Sequence, residues 1–147
     1  MPASTERTIS TVAGARHAAI LGLGVYRPLR LVSNEEICGP IDSSDEWIRS
    51  RSGIATRRFA GAGETVISMS VAAAREALAQ SGIAAEQIGC VVLATSTYLS
   101  QTPAAAPQIA HLLGTDAPAA FDISAGCAGF CHALGLAADM VRGGSAR

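Results

Sequence analysis

Hydrophobic and polar positions along the chain change period in blocks, and the changes mark its elements. The apolar run Ala18-Ala19-Ile20-Leu21-Gly22-Leu23-Gly24-Val25-Tyr26 predicts a buried strand ending at Arg27-Pro28, with two glycines where another backbone can approach closely. Ser33-Asn34-Glu35-Glu36-Ile37 reads as a short helix start capped by Ser33 or Asn34, and Asp42-Ser43-Ser44-Asp45-Glu46-Trp47-Ile48 as a second. Acidic and hydroxyl groups there satisfy free amides and oppose the positive end of the helix dipole. Arg49, Arg51, Arg57 and Arg58 then crowd a polar stretch around Ser52-Gly53-Ile54. Ile67, Val71, Ala74 and Leu78 recur at helical spacing, so 65–80 is an amphipathic helix closed by Ser81-Gly82. Ile88 to Thr95 is an apolar, β-branched run of the kind found in buried parallel strands. A helix follows Pro103 as far as Gly114, with Ile109, Leu112 and Leu113 inward, and Ala119 to Ile123 is a third short strand. From about Cys127 to Val141 the chain is helical again and is closed by Gly143-Gly144.

This order, β, irregular helices, α, β, α, β, α, predicts a layered α/β fold with a mostly parallel sheet. There is no internal repeat and no low-complexity linker. After the last helix another strand is expected, so the sheet is short of a partner. Residues 1–16, polar and broken by Pro2 and Gly14, read as a flexible tail.

Composition narrows the function classes. Of 147 residues, 49% are hydrophobic but only 4% aromatic, so Ala, Val, Leu and Ile fill the core and favour close helix-to-sheet packing. A formal net charge of -1 with no basic stripe argues against nucleic acid. No run reaches the roughly 18 apolar residues of a membrane span and no signal-peptide core is present, so a cytoplasmic protein is expected. Cys38, Cys90, Cys127 and Cys131 form no CxxC pair and have no His at finger-like spacing, which makes a metal site unexpected and three of them ordinary reduced thiols.

Cys127 stands apart. In Phe121-Asp122-Ile123-Ser124-Ala125-Gly126-Cys127-Ala128-Gly129-Phe130 a buried strand runs through small residues into a helix, with the cysteine at the helix N-terminus. Unpaired amides and the helix dipole favour thiolate there, and small neighbours leave room for a substrate. The residues alone leave two readings open: a nucleophile, or a structural cysteine at a tight junction. On an ideal helix His132, five residues on, is rotated about 140° past a full turn and points away from Cys127. Cys131 shares the face of Cys127 and reads as a packing residue, while His17 and His111 read as surface or satisfied polar groups.

The segment Asp122-Ile123-Ser124-Ala125-Gly126-Cys127-Ala128-Gly129-Phe130 closely resembles the active-site cysteine segment of the β-ketoacyl-ACP synthase III family (ACP, acyl carrier protein). Asp42-Ser43-Ser44-Asp45-Glu46-Trp47-Ile48-Arg49-Ser50-Arg51-Ser52-Gly53-Ile54 resembles that family's second signature, and Gly61 to Thr65 and Ile88 to Ser96 match as well. The likeness runs from about Ala18 to the last residue, and is also strong towards priming ketosynthases of polyketide pathways around Cys127 to Leu134. It implies a thiolase-like α/β fold, with residues 17–147 forming the N-terminal domain of a homodimeric enzyme about twice this length. It implies that Cys127 takes an acyl group from acyl-CoA and passes it to malonyl-ACP by decarboxylative condensation, without a cofactor. Trp47 matches the family tryptophan that stacks on the CoA adenine, and Arg51 an arginine near the nucleotide; from the residues alone, Trp47 reads equally as a helix anchor. Ser43 and Ser52 stand where threonines are usual and keep the hydroxyl. Thr102 stands where some relatives carry a phenylalanine that limits the acyl pocket from the dimer partner, which implies a starter larger than acetyl. The family's histidine and asparagine for the condensation step have no counterpart here. A non-catalytic fragment that binds acyl-CoA or carrier protein beside a partner half is the alternative, and a remnant without a function of its own is a third.

Overall fold

The computed structural model describes residues 14–146. Most of the expected tail, residues 1–13, lies outside them. Its end does not hang free: the Ala15 amide donates to the Val141 carbonyl at 3.2 Å.

The first packing unit is built on a strand pair that the hydrophobic pattern did not predict. Strand β1 (Arg30–Ser33) pairs antiparallel with β2 (Thr56–Phe59), Leu31 opposite Arg58 and Val32 opposite Arg57. Between them run two short helices, α1 (Asn34–Cys38) and α2 (Asp45–Ser52), which pack on each other. Ser33 caps α1 in a reciprocal box with Glu36, and Ser44 caps α2 by accepting from the Trp47 amide at 3.1 Å. Alternation fails as a signal here because the strands have four residues each and β2 is Thr-Arg-Arg-Phe.

The second unit holds the core. Helix α3 (Val66–Ser81), capped by Thr65, packs on α4 (Ala105–Leu113). Strands β3 (Cys90–Ala94) and β4 (Ala119–Ile123) pair in parallel, with α4 as the crossover between them and α5 (Gly129–Gly143) packed on β3. Val71, Ala105 and Ile109 are buried together, and Ile67, Val91, Leu93, Tyr98 and Leu113 close around them. Leu112 was expected inward and instead lies exposed; the small side chains of Ala105, Ala106 and Ala110 form the buried stripe of α4 with Ile109. Small residues there let α4 sit close against the strands.

The expected first strand, Ala18 to Tyr26, is extended but pairs with no strand among the described residues. It lies along α3 instead. Amides of Leu23 and Val25 donate to the side chains of Gln80 and Glu76 on that helix. Ile20, Leu21, Leu23 and Val25 are consequently exposed, 63–69% in each case. The close approach predicted at the glycines does occur, but to a helix: an added Cβ at Gly24 would lie 1.9 Å from the Ala73 carbonyl oxygen. Among the described residues the parallel sheet therefore has two strands in place of the three expected.

Candidate active site

Cys127 lies where β4 ends. After Ile123, whose carbonyl accepts from the Thr95 amide at 3.0 Å, the chain turns through Ser124 and Ala125 into a 3₁₀ turn, Gly126–Ala128. Gly126 has φ 50°, a left-handed conformation that costs a side-chain-bearing residue about 1–2 kcal/mol. Gly129 then begins α5 so close to β3 that an added Cβ would meet the Ala94 Cβ at 3.3 Å. Strand end, left-handed glycine and tight helix start together hold Cys127 outward, where it is exposed and a free thiol. The helix does not start at the cysteine, as the residue pattern suggested, but two residues beyond it.

Among the described residues no side chain hydrogen-bonds to the Cys127 sulfur, and the exposed side chains of His17, His111 and His132 form no hydrogen bond. Cys131 is exposed rather than packed. Cys38 and Cys90 are half-buried; burial pushes the Cys90 thiol up, and its sulfur lies 3.9 Å from that of Met140. An open apolar cleft of about 1310 Å³ lies between residues 17–24, α3 and β3, but Cys127 does not line it.

One residue with a clear part in shaping the site was not singled out from the sequence. Asp122, in β4, accepts the amides of Ala105 and Ala106 at 2.8 Å each. The N-cap residue of α4, Ala104, has no side chain able to cap, so the strand supplies the cap. The segment before α4 contains Thr102, exposed and joined to Pro103 by a cis peptide bond. Asp122 thus ties the start of α4, which follows Thr102-Pro103, to the strand that leads into the Cys127 turn. The available signal was an acidic residue in an otherwise apolar strand.

The remaining candidates sit on α2, except Ser43, which just precedes its cap Ser44. Trp47 is 57% exposed, and the Arg51 guanidinium lies 5.9 Å from the centre of its ring, one helical turn on. Ser52 closes the helix locally: its hydroxyl donates to the Ile48 carbonyl at 2.8 Å and accepts from the Ile54 amide at 3.2 Å. The Ser43 hydroxyl is buried without a hydrogen-bond partner. Asp45, which pairs with Arg49, is held below the usual carboxylate range by the Asn34 amide first and the Arg49 guanidinium second. Helix α2 packs on α1, whereas β4 and α5 pack in the other unit, so Trp47, Arg51, Ser43 and Ser52 belong to the first unit, and Thr102 and Cys127 flank separate elements of the second.

No family model matches the chain. Curated proteins and solved structures do. It is 56% identical over 140 residues to the mycobacterial β-ketoacyl-ACP synthase III of Mycobacterium avium (strain 104), covering 95% of this chain and 42% of the relative. To β-ketoacyl-ACP synthase III 1 of Streptomyces coelicolor it is 62% identical over 133 residues, 90% of this chain and 39% of that one. Over nearly its whole length the chain is thus similar to part of the β-ketoacyl-ACP synthase III proteins. Among solved structures, the priming β-ketosynthase of the R1128 polyketide pathway superposes with a TM-score of 0.88 at 49% identity, over 92% of this chain and 41% of that chain. The 3-oxoacyl-ACP synthase III of Pseudomonas aeruginosa PAO1 gives a TM-score of 0.80 at 39% identity, over 89% and 40% respectively. The fold is thus the thiolase-like α/β fold. The chain spans about two fifths of the length of the synthase III relatives it matches.

Proposed function

We propose that this chain carries the acyl-accepting portion of a β-ketoacyl-ACP synthase III type condensing enzyme. In the first step the Cys127 thiolate attacks the thioester carbonyl of an acyl-CoA. The carbon–sulfur bond to CoA breaks, CoA leaves as its thiol after taking up a proton, and the acyl group remains on Cys127 as a thioester. In the second step malonyl-ACP loses carbon dioxide, its carbanion attacks that thioester, and Cys127 leaves as thiolate, giving a 3-ketoacyl-ACP. The acyl carrier protein is therefore a partner, and a homodimer in the cytoplasm is the setting this reading takes.

The observation that carries the reading is the Cys127 turn, an exposed thiol held at a strand end by Gly126 and Gly129. Trp47 and Arg51 supply a flat apolar ring and a guanidinium fork suited to the adenine and phosphates of CoA. The exposed Thr102 suits a primer larger than acetyl, and the likeness to a priming ketosynthase supports polyketide or fatty acid chain initiation. The histidine and asparagine that the family uses for condensation have no counterpart in these 147 residues, so the chain's own residues account for acylation alone.

A second reading, a non-catalytic acyl-CoA or carrier-protein binding piece working beside another polypeptide, is favoured by the exposed Leu23, Val25, Leu99 and Phe130. Release of CoA thiol separates the two. Incubation with acyl-CoA is expected to free one CoA per chain in a single burst, while binding without release would exclude the acylation reading.

A further inference from the structure

Helix α2, which presents Trp47 and Arg51, has no buried residue of its own. Half-buried Ile48 and the contact with α1 give it little apolar anchorage, so polar contacts weigh in setting its position. Asn34, the first residue of α1, has no exposed surface, and among the described residues it is the buried polar side chain. All of its carboxamide is engaged. Nδ2 donates to Asp45 Oδ1 at 2.6 Å and to the Ile54 carbonyl at 2.8 Å, and Oδ1 accepts from Arg57 Nη2. Asp45 opens α2, and Ile54 follows its closing residue Gly53. One side chain therefore grips both ends of the helix and ties it to β2 through Arg57.

Taking the proposed role of the Trp47–Arg51 face in holding CoA as its premise, we propose that Asn34 is the positioning residue of that face, fixing α2 on the β1–β2 pair. The chemistry selects asparagine. Its three contacts need two donors and an acceptor on one short planar group, which neither a carboxylate nor a hydroxyl provides. A buried amide with every group satisfied gives rigidity, and a partner left unpaired is costly. The Arg57 Nη1 is already buried without a partner, so loss of Asn34 takes away the side-chain acceptor of its other terminal nitrogen as well. The lowered Asp45 carboxyl, with the Asn34 amide as its largest cause, agrees with this geometry.

The test uses Trp47, the chain's single tryptophan, as its own reporter. N34D is isosteric and keeps the acceptor for Arg57 but loses both donations to α2; N34A loses all three contacts. For each variant, far-UV circular dichroism, Trp47 anisotropy, amide exchange in α2 and α3, and quenching of Trp47 by CoA are compared with the native chain. In N34D, protection is expected to fall about tenfold or more at the Ile48 and Gly53 amides, with α3 unchanged, lower Trp47 anisotropy and CoA affinity about tenfold weaker. N34A is expected to exaggerate each effect. Unchanged anisotropy and α2 exchange in N34D would overturn the proposal, as would equal loss of protection in α2 and α3, or failure of both variants to fold, since Asn34 would then be a general core residue. If CoA does not quench Trp47 in the native chain, the nucleotide reading falls by itself. The anisotropy and exchange contrast still decides the placement of α2 by Asn34.

Discussion

Replacing Asp122 by alanine removes the cap of α4 from outside that helix. Two hydrogen bonds at 2.8 Å are lost, and the amides of Ala105 and Ala106, residues with no exposed surface, are left without partners. A buried amide stranded in this way costs about 1–3 kcal/mol. The two are not fully additive, because Pro103 is exposed and Ala104 only half-buried, so water reaches the helix start once it loosens. About 3 kcal/mol is the expected loss, roughly a hundredfold in the folded-to-unfolded ratio. D122N keeps one acceptor oxygen and turns an NH₂ towards the other amide, so about half that loss is expected. The assay is urea unfolding followed by circular dichroism, where the midpoint should fall in the order native, D122N, D122A at constant slope. A D122A midpoint equivalent to less than about 0.5 kcal/mol of change would refute the reasoning, because surface substitutions move stability by that much. So would an equal loss in both variants, since the second oxygen would then carry no weight.

Three further outcomes follow from the same structure. Glu64 accepts from the Tyr26 hydroxyl at 2.6 Å, the Gly61 amide at 2.7 Å and the Leu29 amide at 3.0 Å, and the Tyr26 bond is the largest cause of its lowered carboxyl. A folded value below the unfolded one gives stability that is present above about pH 4.3 and lost as pH falls through the lowered value. The thermal midpoint should thus fall less steeply in E64Q over that window; Glu36 and Asp45, also lowered, keep some slope, and an unchanged slope would contradict the assignment. G24A places a methyl carbon against the Ala73 carbonyl, so residues 18–26 should lift from α3 and chymotrypsin should cut after Tyr26 about tenfold faster, whereas equal rates would contradict the close approach. T102F should shift competition among acyl-CoAs for Cys127 towards short primers, and an unchanged preference would remove Thr102 from the acyl pocket.

Helices were legible in the sequence because their signals are local. Ser33, Ser44 and Thr65 cap where hydroxyl and acidic residues precede apolar spacing, and each bond spans three residues. The Cys127 turn was legible for the same reason, since Ala125, Gly126 and Gly129 announce a turn without room for larger side chains. Long-range decisions were not. An apolar run such as Ala18 to Tyr26 announces burial in a sheet but does not name its neighbour, and here its amides found side chains of α3. Asn34 was read as a possible cap of α1, while Ser33 caps that helix and Asn34 reaches Asp45, Ile54 and Arg57 across the fold. Asp122 bonds to amides 16 and 17 residues away, a pairing that only the crossover of α4 creates.

The central claim is that Cys127 is the acyl acceptor. Its most direct test is intact-mass spectrometry of the native chain and of C127A after incubation with a series of acyl-CoAs, followed by peptide mapping. One acyl mass on the native chain, located on the peptide containing Cys127 and absent from C127A, is the expected result, and the acyl-CoA that labels fastest names the primer. Equal labelling of C127A, or no labelling of a native chain that circular dichroism shows to be folded, would contradict it.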